Sequence, residues 1–183
     1  MTNLVIAYSQ QRTNKCKMGD TETDHMYTIA KALYSILAQD KRLNTYLIPP
    51  QDTGADLGNL RASIKLSNEF IKKNGGKGYH IELHSDAGGY AKGCSALYKS
   101  EAGKVLATYL YNELADFTPT TDAGIRYRDN LGALNQTKAV AVILEVSFHD
   151  EQQQAKWIHE NVIPISVRIC NGLYKFLKGG NLI

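Results

Sequence analysis

Cysteine is scarce in this chain and poorly placed for cross-linking. Cys16, Cys94 and Cys170 are an odd number at wide spacings with no Cys-x-x-Cys pair, so neither a disulfide framework nor a cysteine zinc site is expected, and the thiols are read as reduced. Long apolar runs are missing as well. No stretch approaches the roughly 18 residues that a membrane span needs, and the N-terminus has no charged segment followed by an apolar one of the secretory kind. Charge of one sign is nowhere concentrated. The formal net charge of +3 is a mild basic bias without the clustered Lys/Arg stripe that a phosphate backbone demands, so nucleic acid is not an expected partner, although an anionic polymer is permitted. Internal repeats and low-complexity segments are absent too.

What is present is ordinary for a globular protein. The 183 residues are enough for one domain with a sizeable core, and 43% hydrophobic with 21% charged residues argues against disorder. Asn3 to Tyr8 is a short run of β-formers and opens the chain as a buried strand. A polar loop from Ser9 to Asp20 leads to Thr21, a helix N-cap with Asp24 three residues on, and Met26, Ile29, Ala30, Leu33, Ile36 and Leu37 recur at helical spacing up to about Asp40.

The alternation continues. A strand is expected over Arg42 to Ile48, a helix from about Leu60 to Asn74, a strand from His80 to His84, another from Cys94 to Tyr98, and a helix from Lys104 to Phe117. Thr118 to Lys138 reads as a polar stretch. Ala139 to Leu144 is unbroken and apolar, as a strand buried on both faces should be, and Glu145 terminates it. A last helix from about Gln152 to Leu177 is expected to be interrupted at Pro164, and Gly179-Gly180-Asn181 reads as a flexible end or the start of a linker. Alternating strands and helices predict an α/β fold: a single domain with a twisted, mainly parallel sheet flanked by helices on both faces.

The residues with chemical potential gather at strand ends, where open α/β sheets place their ligands. His84 ends one strand and runs into the polar loop Ser85-Asp86-Ala87-Gly88-Gly89, in which Ser85 and Asp86 can hydrogen-bond a ligating imidazole. Glu145 ends the most apolar segment. A carboxylate there costs free energy unless it is solvated, paired or metal-bound, and burial raises its pKa toward the range useful for proton transfer. The bland reading is a loop cap, or an ion pair with Arg126 or Arg128. Glu22 sits at a helix N-terminus, where a carboxylate is favourable without any further role, and His25 follows at i+3, close to the same face. His80 shares the strand face of His84 by its even spacing, but lies a strand's length away and is assigned no role.

The order Glu22, Leu83-His84-Ser85-Asp86-Ala87 and Val142-Ile143-Leu144-Glu145-Val146-Ser147-Phe148 resembles the zinc-dependent N-acetylmuramoyl-L-alanine amidases of the amidase-3 type, cell-wall hydrolases found as autolysins and phage endolysin domains. The resemblance spans nearly the whole chain, residues 1–178. It implies peptidoglycan as substrate, cut at the amide between N-acetylmuramic acid and L-alanine, with zinc as cofactor. It also implies Glu22 and His84 as metal ligands, and Glu145 as the catalytic base and acid acting on zinc-activated water.

The family's first histidine is replaced. Tyr8-Ser9-Gln10-Gln11 stands there, similar to a subgroup with a Ser-x-Gln-x-x-Asn pattern, matched by Ser9, Gln11 and Asn14, and with Phe148-His149-Asp150 after the glutamate. Gln11 is therefore expected as the third ligand, with Gln10 and His25 as alternatives. Asp86 and Arg128 are expected to contact substrate, and His149-Asp150 to orient the site.

The same resemblance implies action at the bacterial cell wall. Without a signal peptide, the protein is expected to be made in the cytoplasm and released by lysis or a membrane lesion, and a wall-binding domain is expected as a possible C-terminal partner. Two other readings stay open: another zinc hydrolase on wall polymer, such as a deacetylase or carboxypeptidase, or a metal-free wall-binding module.

Overall fold

A computed structural model describes residues 1–88, 93–120 and 124–179. The chain alternates strands and helices in the order β1 (Thr2–Tyr8), α1 (Glu22–Leu37), β2 (Leu43–Leu47), α2 (Asp56–Lys73), β3 (Tyr79–Asp86), β4 (Ser95–Tyr98), α3 (Glu101–Ala115), β5 (Gly124–Tyr127), α4 (Gly132–Gln136), β6 (Val140–Phe148), α5 (Gln152–Glu160) and α6 (Val162–Lys178). The strands form one sheet in the order β2-β1-β3-β6-β4-β5. All neighbours are parallel except β4 and β6. The mainly parallel, helix-covered sheet is the one expected.

The period-2 alternation of the central strands sorts their residues to two apolar layers. Leu4, Ile6 and Tyr8 of β1, Ile81 and Leu83 of β3, and Val142 and Leu144 of β6 pack into the large cluster with Ile29 and Leu33 of α1, Leu106 and Leu110 of α3, and Ile169 and Leu173 of α6. On the opposite face, Val5 and Ala7 meet Ile71 of α2. Ala141 and Ile143 meet Ala133 and Leu134 of α4. The continuous apolar run of β6 is thus explained by cover on both sides. Gly78, just before β3, could not carry a side chain, since a Cβ would lie 2.8 Å from the Asn3 backbone oxygen and 2.6 Å from Ile71 Cδ1.

Several boundaries differ from the sequence expectation, and the differences bear on the site. β3 runs on to Asp86 and β6 to Phe148, so His84 and Glu145 lie within strands and not at their ends. A register shift in the β3–β6 pairing falls between His84 and Asp86, the kind of irregularity that re-aims side chains.

The first helix ends at Leu37, earlier than Asp40, while its capping box of Thr21 and Asp24 is formed as expected. α2 and α3 each begin earlier than expected, at Asp56 and Glu101. The stretch read as polar between Thr118 and Lys138 contains β5 and α4, both too short to show a period. The last helix is broken at Asn161, with Pro164 inside the first turn of α6, where a missing N–H costs little. Gly89 of the loop after β3, and Gly180 and Asn181 of the expected flexible end, lie outside the described residues. Among the described residues no helix is long and apolar enough to cross a membrane.

Candidate active site

β3 carries His80, Glu82 and His84 on one face, and the structure strings them into a single chain of hydrogen bonds. Ser67 of α2 meets His80 Nδ1 at 2.9 Å. His80 Nε2 meets Glu82 Oε2 at 3.0 Å, and the other carboxylate oxygen of Glu82 meets His84 Nε2 at 2.9 Å. His84 Nδ1 then lies 3.0 Å from Glu22 Oε1. Glu22 is the first residue of α1, where the cap at Thr21 turns the chain into the helix beside β3. Its Oε1 also accepts the backbone N–H of Ser85 at 3.3 Å, and its Oε2 accepts Asn14 Nδ2 at 2.8 Å. The Asn14 amide is shared with Gln11 Oε1 at 3.2 Å.

The charges follow from this geometry. Burial alone would lower the His84 pKa, but hydrogen bonds to Glu22 and Glu82 and the charge of Glu22 and Glu145 hold it well above the ordinary imidazole value. Burial likewise opposes ionisation of Glu82, and its bonds to His80 and His84 outweigh that, so its carboxyl stays below the usual range. Glu22 behaves the same way, with His84, Asn14 and Ser9 outweighing burial.

Glu145 is the exception. It is the register partner of His84 on β6. Burial pushes it up to about 8, against the pull of His84 and with the added repulsion of Asp86, Glu22 and Glu82. Its Oε2 is buried without a hydrogen-bond partner among the described residues. Burying such an atom costs about 1–3 kcal/mol unless something else satisfies it.

These donors suit a divalent cation. Ligand atoms on a tetrahedral zinc with bonds of 2.0–2.1 Å lie about 3.3 Å apart, close to the Glu22–His84 separation. Each of the two already has its second polar atom engaged, as a metal ligand requires. The unpartnered oxygen of Glu145 is on the neighbouring strand at the same level.

The two glutamines differ in availability. Both line a cavity of about 300 Å³ whose wall includes Glu82, His84 and Ile143. Gln10 is buried with its Oε1 taken by the Gln51 backbone N–H at 3.1 Å, and its Nε2 lacks a partner among the described residues. Gln11 is exposed, and Asn14 links its amide oxygen to Glu22. His25 turns away from this pair. Its Nε2 faces Ser85 Oγ at 2.8 Å and its Nδ1 faces Asp20.

Asp86 is half-buried at the end of β3, where its carboxylate accepts the Ala87 N–H. Arg128 is exposed just past β5, with β4 standing between β5 and β6. His149 Nδ1 meets the Ser85 carbonyl at 2.7 Å and Asp150 accepts the Gly88 N–H at 2.7 Å, so both fasten the end of β6 to that of β3.

Sequence reasoning missed Glu82 and Ser67, and gave His80 no role. The readable signal was the spacing itself. Three ionisable residues at i, i+2 and i+4 in a strand share a face and must satisfy one another or a ligand.

A family model described as N-acetylmuramoyl-L-alanine amidase matches residues 5–175. No curated protein sequence matches the chain. Among solved structures, the chain is similar to the catalytic domain of CwlV, an N-acetylmuramoyl-L-alanine amidase from Bacillus (Paenibacillus) polymyxa var. colistinus, with a TM-score of 0.76 at 22% identity, covering 97% of this chain and 99% of that one. It is similar to the catalytic domain of the CD27L endolysin targeting Clostridia difficile, with a TM-score of 0.78 at 21% identity over 96% and 98%. The N-acetylmuramoyl-L-alanine amidase AmiC2 of Nostoc punctiforme superposes with a TM-score of 0.79 at 16% identity over 97% of both chains. At these identities the structural likeness establishes the fold, and the family model establishes the family.

Proposed function

The chain belongs to the N-acetylmuramoyl-L-alanine amidase family, peptidoglycan hydrolases that are generally zinc-dependent, and from that premise we propose a zinc-assisted hydrolysis with Glu145 as the proton-transferring group. The amide cut is the one joining N-acetylmuramic acid to L-alanine. The observation that carries the reading is the convergence of Glu22 Oε1 and His84 Nδ1 at 3.0 Å beside the unpartnered carboxylate oxygen of Glu145.

Glu22 and His84 would hold the zinc, with Gln11 as a neutral third ligand. The exposure of Gln11 and the link of its amide oxygen through Asn14 to Glu22 support this choice over Gln10, which is buried with its amide oxygen held by the Gln51 backbone, and over His25, which faces Ser85 and Asp20. Zinc bound there supplies a Lewis acid that polarises the scissile carbonyl and brings the pKa of water toward about 7.

Glu82 holds Nε2 of His84 so that Nδ1 faces Glu22. Glu145 receives the proton of the attacking water and delivers it to the departing L-alanine amine, which leaves as a neutral group. The strand around it keeps the carboxylate in place and screens it from bulk water. Asp86, at the end of β3, and Arg128, just past β5, are the proposed substrate contacts. Action at the cell wall follows from the same reading.

Digestion of purified peptidoglycan tests it. New L-alanine amines are expected, with no new sugar reducing ends, no acetate and no free D-alanine, the last two being the marks of a deacetylase or a carboxypeptidase. Glu145→Gln is expected to lower the rate about 10²–10⁴-fold while keeping its zinc. Wild-type rates in that variant would remove Glu145 from the chemistry.

A further inference from the structure

The loop between β1 and α1 brings a second set of metal-ligating side chains together, outside the pair just described. Cys16, Asp20, His25 and His159 each offer one ligand atom, and these atoms all lie within 4.8 Å of one another. We propose that they form a structural metal site for zinc, fastening the β1–α1 loop and the first turn of α1 to α5. This site is separate from the proposed catalytic one and goes beyond it.

The distances already approach those of a bound cation. Asp20 Oδ2 lies 3.7 Å from His25 Nδ1 and 3.3 Å from His159 Nε2. Neighbouring ligand atoms on a tetrahedral zinc stand about 3.3–3.7 Å apart, given bonds of 2.0–2.1 Å to N and O and 2.3 Å to S.

A second observation points the same way. His25 is 3% exposed, and its Nδ1, which faces the cluster, has no hydrogen-bond partner among the described residues. Asp20 Oδ1 is also buried without one. Two stranded polar atoms in one cluster are costly in a site filled only by protein, and a shared cation satisfies the imidazole nitrogen directly.

Local structure aims the remaining donors. The Cys16 N–H donates to the Asp20 carbonyl at 2.9 Å and the Gly19 N–H to the Cys16 carbonyl at 3.0 Å, closing a tight loop around Gly19, whose φ of 99° suits glycine. The Met18 N–H points at Cys16 Sγ at 3.5 Å, an interaction that strengthens when the sulfur is a thiolate. On the other side, Ser85 Oγ engages His25 Nε2 at 2.8 Å and so fixes the ring with Nδ1 toward the cluster.

The donor set selects the metal. One sulfur, two imidazole nitrogens and one carboxylate oxygen suit zinc, and a thiolate disfavours magnesium and calcium. Four protein ligands close the coordination shell, which is the mark of a structural site. On binding, Cys16 gives its thiol proton to solvent, and thiolate plus carboxylate balance the 2+ charge. Ser85 joins the two sites, since its backbone N–H reaches Glu22 while its hydroxyl reaches His25. The site would therefore hold in place the loop that carries Gln10, Gln11 and Asn14.

Metal analysis and cobalt substitution of the full chain test this. The wild type is expected to bind two zinc ions and, with cobalt, to show a thiolate-to-cobalt charge-transfer band in the near ultraviolet. Cys16→Ala is expected to lose one ion and the band. His159→Gln, at a partly exposed position that folding tolerates, is expected to weaken cobalt binding at this site at least tenfold. Glu22→Gln is expected to lose the other ion and keep the band. A cobalt-loaded wild type without the band would overturn the proposal, as would unchanged metal content in both Cys16→Ala and His159→Gln. One ion per chain that keeps its band in Glu22→Gln would support this site and count against the catalytic metal, so the two readings fail separately.

Discussion

Along β3, Ile81 and Leu83 face one side of the sheet and His80, Glu82 and His84 the other, and the first four of these residues are withdrawn from water almost equally. The energetics of the two faces are opposite. Burying each aliphatic side chain contributes about 1.5–3 kcal/mol by removing apolar surface from water. Burying Glu82 costs free energy that its bonds to His80 and His84 offset. The apolar face is therefore where this strand gains stability. The polar face is where stability is exchanged for the fixed orientation of His84, and the two faces should break in different ways.

Leu83→Ala should show the largest effect. It lies at 0% exposure in the main core, and the lost contacts and the cavity left behind should cost about 2–5 kcal/mol, read from the denaturation midpoint. Its metal content per folded molecule should stay unchanged. A variant that lost metal as well would show that the two faces are not separable.

Glu82→Gln should act on the other face. It keeps the size of the side chain but removes the charge that holds His84, so zinc affinity should fall about 10–100-fold in competition with a chelator. Unchanged affinity would mean that Glu82 does not position the ligand.

Ser67→Ala should be the smallest. It takes one hydrogen bond from His80 Nδ1, three links away from Glu22, and should cost about 1 kcal/mol of stability with little change in zinc affinity. A larger drop in affinity there than in Glu82→Gln would reverse the order of the polar chain.

The legible parts of this protein were those with a local cause. The apolar run through Leu144 marked β6 because a strand covered on both sides has nothing polar to show, and Thr21 with Asp24 marked the start of α1 because a capping box is complete within four residues. Where the reading slipped, the cause was nonlocal. His84 and Glu145 were placed at strand ends because the polar residues after them resemble a loop, yet pairing between β3 and β6 extends both strands past them. β5 is held by Tyr98 and its neighbours on β4, and its own four residues carry no usable period. The break near Pro164 was assigned to the proline, whereas the chain turns at Asn161 and the proline sits in the first turn of the new helix.

The candidate site divides in the same way. Glu22, His84 and Glu145 could be singled out from residue type, position and family resemblance. Glu82 could have been added from the i, i+2, i+4 spacing of its strand. The group of Cys16, Asp20, His25 and His159 could not. Its ligands are spread from the first loop to α5, and the wide spacing of the cysteines spoke against a metal site.

Sequence alone determined the alternation of strands and helices, the burial of the central strands and the presence of a carboxylate directly after the most apolar run, because these depend on hydrophobic period and on caps that neighbouring residues supply. Tertiary structure decided which side chains meet. Glu22 reaches His84, and Asp20 reaches both His25 and His159, only after parallel pairing sets the register of β3 and helix packing brings α1 and α5 to the same end of the sheet. Convergence of that kind depends on the relative position of whole elements, and a local pattern carries no record of it.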